Sequence, residues 1–147
     1  MKKNKGFSLV ELMIVITIIG VLTTIVLNSL SSSRARAYDT KVKQQLSSFR
    51  TAAEVYFSNQ NPPGYNPEVA VCTAGMFADT SVANGSPGVY LSAANMPNFT
   101  QIVCGSTNSA YAVKATLFSG NQYWCVDSTG AARVIDDSIG GSVTVCP

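Results

Sequence analysis

The chain contains no histidine among its 147 residues. That removes the usual general base for a serine or cysteine nucleophile and a common zinc ligand. Its four cysteines form no C-x-x-C pair, so a zinc site is not expected. No glycine-rich phosphate loop is present. Charge is also scarce: Asp, Glu, Lys and Arg make up 12% of residues, about half the usual share. The net charge of +2 rests on Lys2, Lys3 and Lys5; without residues 1–6, seven basic side chains face eight acidic ones. Such a balance leaves no footprint of direct nucleic-acid binding. With these parts missing, an enzyme is not predicted and no cofactor is implied.

What the chain does have is an apolar run in which, from Phe7 to Leu30, Glu11 is the only charged side chain. About 20 apolar residues suffice to cross a bilayer as a helix. A charge well inside hydrocarbon costs roughly 2.5–3.5 kcal/mol on insertion scales, so Glu11 requires a partner. Cleavage at the preceding Gly6-Phe7 junction would give Phe7 an α-ammonium group with an ordinary pKa of about 7.7–8.0. It would stand four residues, or about 6 Å along a helix, from Glu11. In a bundle of such helices, the ammonium of one could pair with the carboxylate of another, leaving neither charge alone in apolar surroundings. The segment therefore reads as an assembly device.

Lys5-Gly6-Phe7-Ser8-Leu9-Val10-Glu11-Leu12, followed by Met13-Ile14-Val15-Ile16-Thr17-Ile18-Ile19-Gly20, resembles the class III signal of type IV pilins and their pseudopilin relatives. The resemblance implies that a prepilin peptidase cuts after Gly6 at the cytoplasmic face and N-methylates Phe7. It also implies that Glu11 guides assembly, and Gly20 matches a glycine common in the family's helix. Many members carry a proline eight residues after that glycine, near a locally unwound stretch. Asn28 stands there in this chain, so that unwinding is not carried over.

The function so implied is that of a structural subunit of a type IV pilus-like surface filament. Its partners would be identical subunits in a homopolymer, the prepilin peptidase and the pilus assembly machinery. The precursor would sit in the cytoplasmic membrane before extraction into the filament. Two other functions fit the same segment: a pseudopilin of type II secretion, or a membrane-anchored extracellular binding domain that never polymerises. A Sec-type signal ending at Ala35-Arg36-Ala37 fits less well, because the apolar core exceeds the usual 7–15 residues and contains Glu11. An ordinary single-pass anchor or a buried core helix leaves Glu11 unexplained. Lys2, Lys3 and Lys5 favour a cytoplasmic N-terminus. Arg34, Arg36, Lys41 and Lys43 run against that orientation, and the cysteines discussed below support it.

Asn28-Ser29-Leu30-Ser31-Ser32-Ser33 are poor helix formers and read as a polar membrane exit, with a flexible joint as the other possibility. From Tyr38 the pattern becomes amphipathic, with Val42, Leu46, Phe49, Ala53, Tyr56 and Phe57 at spacings of three and four. Lys41, Lys43, Gln44, Ser47, Ser48, Arg50 and Glu54 take the other side. This predicts a helix from Phe7 to about Phe57, ended by Asn61-Pro62-Pro63-Gly64. Residues 59–110 read as a loop-rich connection with short strand pieces at Gly88–Leu91 and Phe99–Val103. The sequons at Asn84-Gly85-Ser86 and Asn98-Phe99-Thr100 are chance-level matches.

Residues 111–147 alternate and turn as an antiparallel meander, with strands at Tyr111–Phe118, Gln122–Asp127 and Ala131–Ile135. One face should lie on the helix stripe and the other in solvent. Trp124 is expected in the core or on a partly exposed sheet. Cys72, Cys104, Cys125 and Cys146 all lie outside the helix and suggest disulfides in an oxidising compartment. Three connectivities are open, of which Cys72–Cys104 with Cys125–Cys146 is favoured; many family members close a C-terminal loop in this way. Asp127, Asp136 and Asp137 are weak metal candidates, because certain pseudopilins bind calcium near their C-termini. An acidic solvated turn explains them more simply, since their spacing matches no EF-hand loop.

The expected architecture is α+β, a long N-terminal helix packed on a small, disulfide-stapled C-terminal antiparallel sheet. Its segments are a leader at 1–6, a membrane or filament-core half-helix at 7–30 and an amphipathic half-helix at 31–58. The connection at 59–110 and the sheet at 111–147 complete it.

Overall fold

The computed structural model describes residues 6–65, 68–98, 100–118, 121–136 and 144–147, with Asn28 described by its backbone alone. The leader lysines, Phe99, Ser119, Gly120 and Asp137 lie outside the described residues. The chain divides into two compact units, Met1–Ala35 and Arg36–Pro147.

The first unit is the N-terminal part of helix α1 (Leu9–Asn59). Its large apolar side chains bury little: exposure runs from 42% at Leu30 to 80% at Phe7. The helix is long and apolar enough to cross a membrane, with a mean hydropathy of 2.6 over its most apolar window. The hydroxyls of Thr17, Thr23, Thr24, Ser32 and Ser33 bond back to carbonyls of the preceding turn. Thr23 Oγ1 donates to the Ile19 carbonyl at 2.7 Å, Thr24 Oγ1 to Gly20 at 3.0 Å and Ser33 Oγ to Ser29 at 3.0 Å. This back-bonding lets polar side chains sit in an apolar helix at little desolvation cost. The backbone is helical without a break from Gly20 through Ser33.

In the second unit, the rest of α1 lays Val42, Leu46, Phe49, Ala53 and Tyr56 into the core, each at most 3% exposed. The three-and-four spacing puts them on one stripe of the helix. Tyr38, at the head of that stripe, remains 41% exposed. Its ring lies 5.8 Å from that of Phe118, whose N–H donates to the buried Asp39 carboxylate at 2.6 Å. Phe49 is the centre of the packing, stacked on Phe77 at 5.9 Å and edge-on to Tyr111 at 5.6 Å. Tyr65 continues the contact, 4.8 Å from Tyr111 and 4.7 Å from Phe57.

The sheet is antiparallel, in the order β1 (Ile102–Ser106), β2 (Tyr111–Thr116), β3 (Tyr123–Asp127), β4 (Ala132–Ile135). It therefore begins before residue 111: Cys104 pairs with Val113 and Ile102 with Ala115, so a strand from the predicted connection belongs to it. Gly88–Leu91 departs from expectation in the other direction. It lies in a short helix, α2 (Pro87–Leu91). Proline is suited to a first helical position by its fixed φ. A Cβ on Gly88 would stand 2.7 Å from the Ala78 carbonyl carbon, so only glycine fits this approach.

The second face of the sheet also departs from expectation, because it is not left to solvent. Tyr111, Val113, Ala115 and Val126 face the helix, while Ala112, Lys114, Cys125 and Asp127 alternate with them and are at most 4% exposed. Ile135 and Cys146 pack with Cys125 as a second, small core. The Lys114 ammonium lies 5.2 Å above the Tyr123 ring, a contact that helps to hold a cation among buried neighbours. Disulfides join Cys72 to Cys104 and Cys125 to Cys146.

Candidate functional site

The candidate site is the start of α1. Gly6 and Phe7 precede the helix in exposed, irregular backbone, and a Cβ on Gly6 would meet nothing within 4 Å. Among the described residues, no packing therefore calls for glycine at this junction. The same holds at Gly20, where an added Cβ also meets nothing within 4 Å.

Glu11 has a local role that the sequence reading missed. The Ser8 N–H donates to Glu11 Oε2 at 2.9 Å, and the Ser8 carbonyl accepts the Leu12 N–H at 3.3 Å. Ser8-Leu9-Val10-Glu11 thus supplies the glutamate half of a capping box, in which the residue at the third helical position returns to the N-cap amide. The signal was legible as Ser-x-x-Glu ahead of an apolar run. A carboxylate at a helix N-terminus also meets the positive end of the helix dipole. Its two oxygens can accept about four hydrogen bonds, so the bond from Ser8 leaves room for a further donor.

The C-terminal acids are used differently from one another. Asp127 is fully buried. Its Oδ1 accepts the Thr129 N–H at 2.9 Å, the Thr129 hydroxyl at 2.7 Å and the Ala131 N–H at 3.0 Å, while Oδ2 accepts the Cys146 N–H at 2.8 Å. Burial alone would push this carboxyl up, but the bonds from Thr129, Cys146 and Ala131 hold it below the ordinary range. Asp136 instead accepts from Gln122 Nε2 at 3.0 Å. Among the described residues, no three His, Cys, Asp or Glu side chains converge on one point. Trp124 packs against the main core, with the Lys43 ammonium 4.9 Å above its ring.

Residues 1–27 match the family model described as the prokaryotic N-terminal methylation motif. The chain is 36% identical over 73 residues to the type IV major pilin protein PilA of Myxococcus xanthus, covering 45% of this chain and 33% of that protein. It is 44% identical over 54 residues to a fimbrial protein of Pseudomonas aeruginosa, covering 37% of this chain and 35% of that one. The fimbrial protein EcpC of Eikenella corrodens aligns over 98% of this chain and 95% of its own length at 29% identity. The chain thus spans about a third of the length of the first two relatives and nearly all of EcpC. No solved structure matches.

Proposed function

We propose that this chain, which belongs to the type IV pilin family, is a structural subunit of a type IV pilus-like surface filament. One observation carries the reading: the N-terminal segment exposes every large apolar side chain from Phe7 to Leu30 while holding a single carboxylate. Such a helix is stable only when something else covers it, first a bilayer and then like helices in a bundle. Residues 1–6 are the leader, removed by a prepilin peptidase that methylates Phe7. Residues 7–30 form the membrane and then filament-core segment. Helix packing then holds the filament core, and Glu11 pairs with the Phe7 amine of a neighbour, so that register is set by charge. The partners are further copies of the chain, the peptidase and the assembly machinery. The second unit stands outside the cytoplasm, where its two disulfides persist. The role is structural rather than catalytic.

The test is the intact mass and N-terminal peptide map of protein sheared from cells without reduction. A chain beginning at N-methyl-Phe7, and four hydrogens lighter than its reduced form because of the two disulfides, is expected. A chain beginning at Met1 or Tyr38 would overturn the reading and leave an anchored or secreted domain.

A further inference from the structure

Cys146 is held at all three of its polar groups by one hairpin. Its sulfur is bonded to Cys125 of β3, and its N–H donates to Asp127 Oδ2 at 2.8 Å. Its carbonyl accepts from Arg133 Nη2 of β4 at 2.6 Å. The hairpin carries these three residues in fixed relation, since Cys125 and Arg133 are register partners and Asp127 follows two residues after Cys125. Asp127 does not depend on Cys146 for its orientation, because its other oxygen is fixed by Thr129 and Ala131 in the β3–β4 turn. Every part of the cradle therefore lies within nine consecutive residues, 125–133, which form locally. Cys146 arrives from 21 residues beyond Cys125.

We propose that the β3–β4 hairpin is a preformed receptor for the backbone of Cys146. It docks the reduced C-terminus and selects Cys125 as its disulfide partner. Both backbone bonds are charge-assisted, one to a carboxylate and one from a guanidinium, and such bonds are about twice as strong as neutral ones. They bring the Cys146 thiol to Cys125 before any covalent bond exists, which resolves three possible connectivities into one. The chemistry is thiol–disulfide exchange with an external disulfide oxidant. One cysteine thiolate attacks the oxidant's disulfide and releases one of its thiolates. The second cysteine then displaces the other, so two electrons pass to the oxidant, and the two protons lost by the chain's thiols end on the oxidant, which leaves as two thiols. The disulfide seals a contact that the hairpin has already made.

The test is amide hydrogen exchange on the full chain in detergent micelles, with Cys125→Ser and Cys146→Ser combined and Cys72–Cys104 left intact. The residue-146 amide should stay protected by roughly tenfold or more, the scale of one charge-assisted hydrogen bond. Adding Asp127→Asn should abolish that protection while the Val113 amide of the central sheet stays protected. Free exchange at residue 146 in the disulfide-free chain would overturn the proposal. So would loss of protection at Val113 in that chain, because the covalent bond would then be making the fold rather than sealing it. As a second measurement, oxidative refolding of Asp127→Asn in a glutathione redox buffer should lower the share of Cys125–Cys146 pairs several-fold relative to the unmodified chain. An unchanged pairing would count against the receptor.

Discussion

The Ser8 amide donates to the Glu11 carboxylate at 2.9 Å, so the only charge of the apolar segment also closes the first turn of its own helix. Two roles for Glu11, local cap and intersubunit partner, therefore need separating, and substitutions of different chemistry do so. Glu11→Gln keeps an acceptor for Ser8 and removes the charge, whereas Glu11→Ala removes both. Both variants should be cleaved normally and give little or no sheared filament. Only Glu11→Ala should also lose protection of the Ser8 amide, with a loss of about 0.5–1.5 kcal/mol for that one hydrogen bond. Normal filament yield from Glu11→Gln would show that the charge does not set register.

Among the described residues, an added Cβ on Gly6 meets nothing within 4 Å. Gly6→Ser should therefore leave the second unit folded and block processing alone. Gel mobility and intact mass of the membrane fraction check this, and a mature-sized band would contradict cleavage at this junction.

Phe49 is fully buried between Phe77 and Tyr111. Truncation to alanine at such a site costs about 3–5 kcal/mol through lost burial and the cavity left behind. Urea unfolding of Phe49→Ala in micelles, followed through the single Trp124 beside the core, should show a midpoint shift of that size. A shift below 1 kcal/mol would mean that the core relaxes around the vacancy, which close-packed interiors rarely allow.

Asp127 predicts the acid limit of the fold. Its carboxyl titrates below the ordinary range because Thr129, Cys146 and Ala131 bind the ionised form. A folded pKa below the unfolded one means that its stabilisation is complete above the unfolded pKa and is lost as pH falls through the folded pKa. The loss should begin below about pH 5. Asp127→Asn should be less stable at neutral pH and flatter in this acid range. Parallel acid limbs for the two proteins, measured by unfolding midpoint against pH, would exclude Asp127 as the group responsible.

The elements carried by short-range pattern were legible in the chain. The apolar run with one carboxylate, the stripe from Val42 to Tyr56 and the alternation in β2, β3 and β4 all repeat within a few residues, so periodicity alone reveals them. Ile102–Ser106 was harder to assign to the sheet because strand pairing is nonlocal and no turn signal as clear as those after residue 116 marks its edge. Val89, Tyr90 and Leu91 have strand-like side chains, but Pro87 and the contact of Gly88 with residues 77 and 78 make that segment helical.

By itself, then, the sequence determined the exposed apolar helix, its lone charge, the amphipathic continuation and the existence of a small sheet, because each is written in local spacing. Tertiary structure decided what spacing cannot carry. It buried both faces of β2, chose one of three disulfide connectivities and turned Asp127 from an acid among acids into the acceptor that holds Cys146. The reason is that burial and hydrogen bonding depend on which distant segment arrives, and residue 146 is distant from residue 127 until the chain has folded.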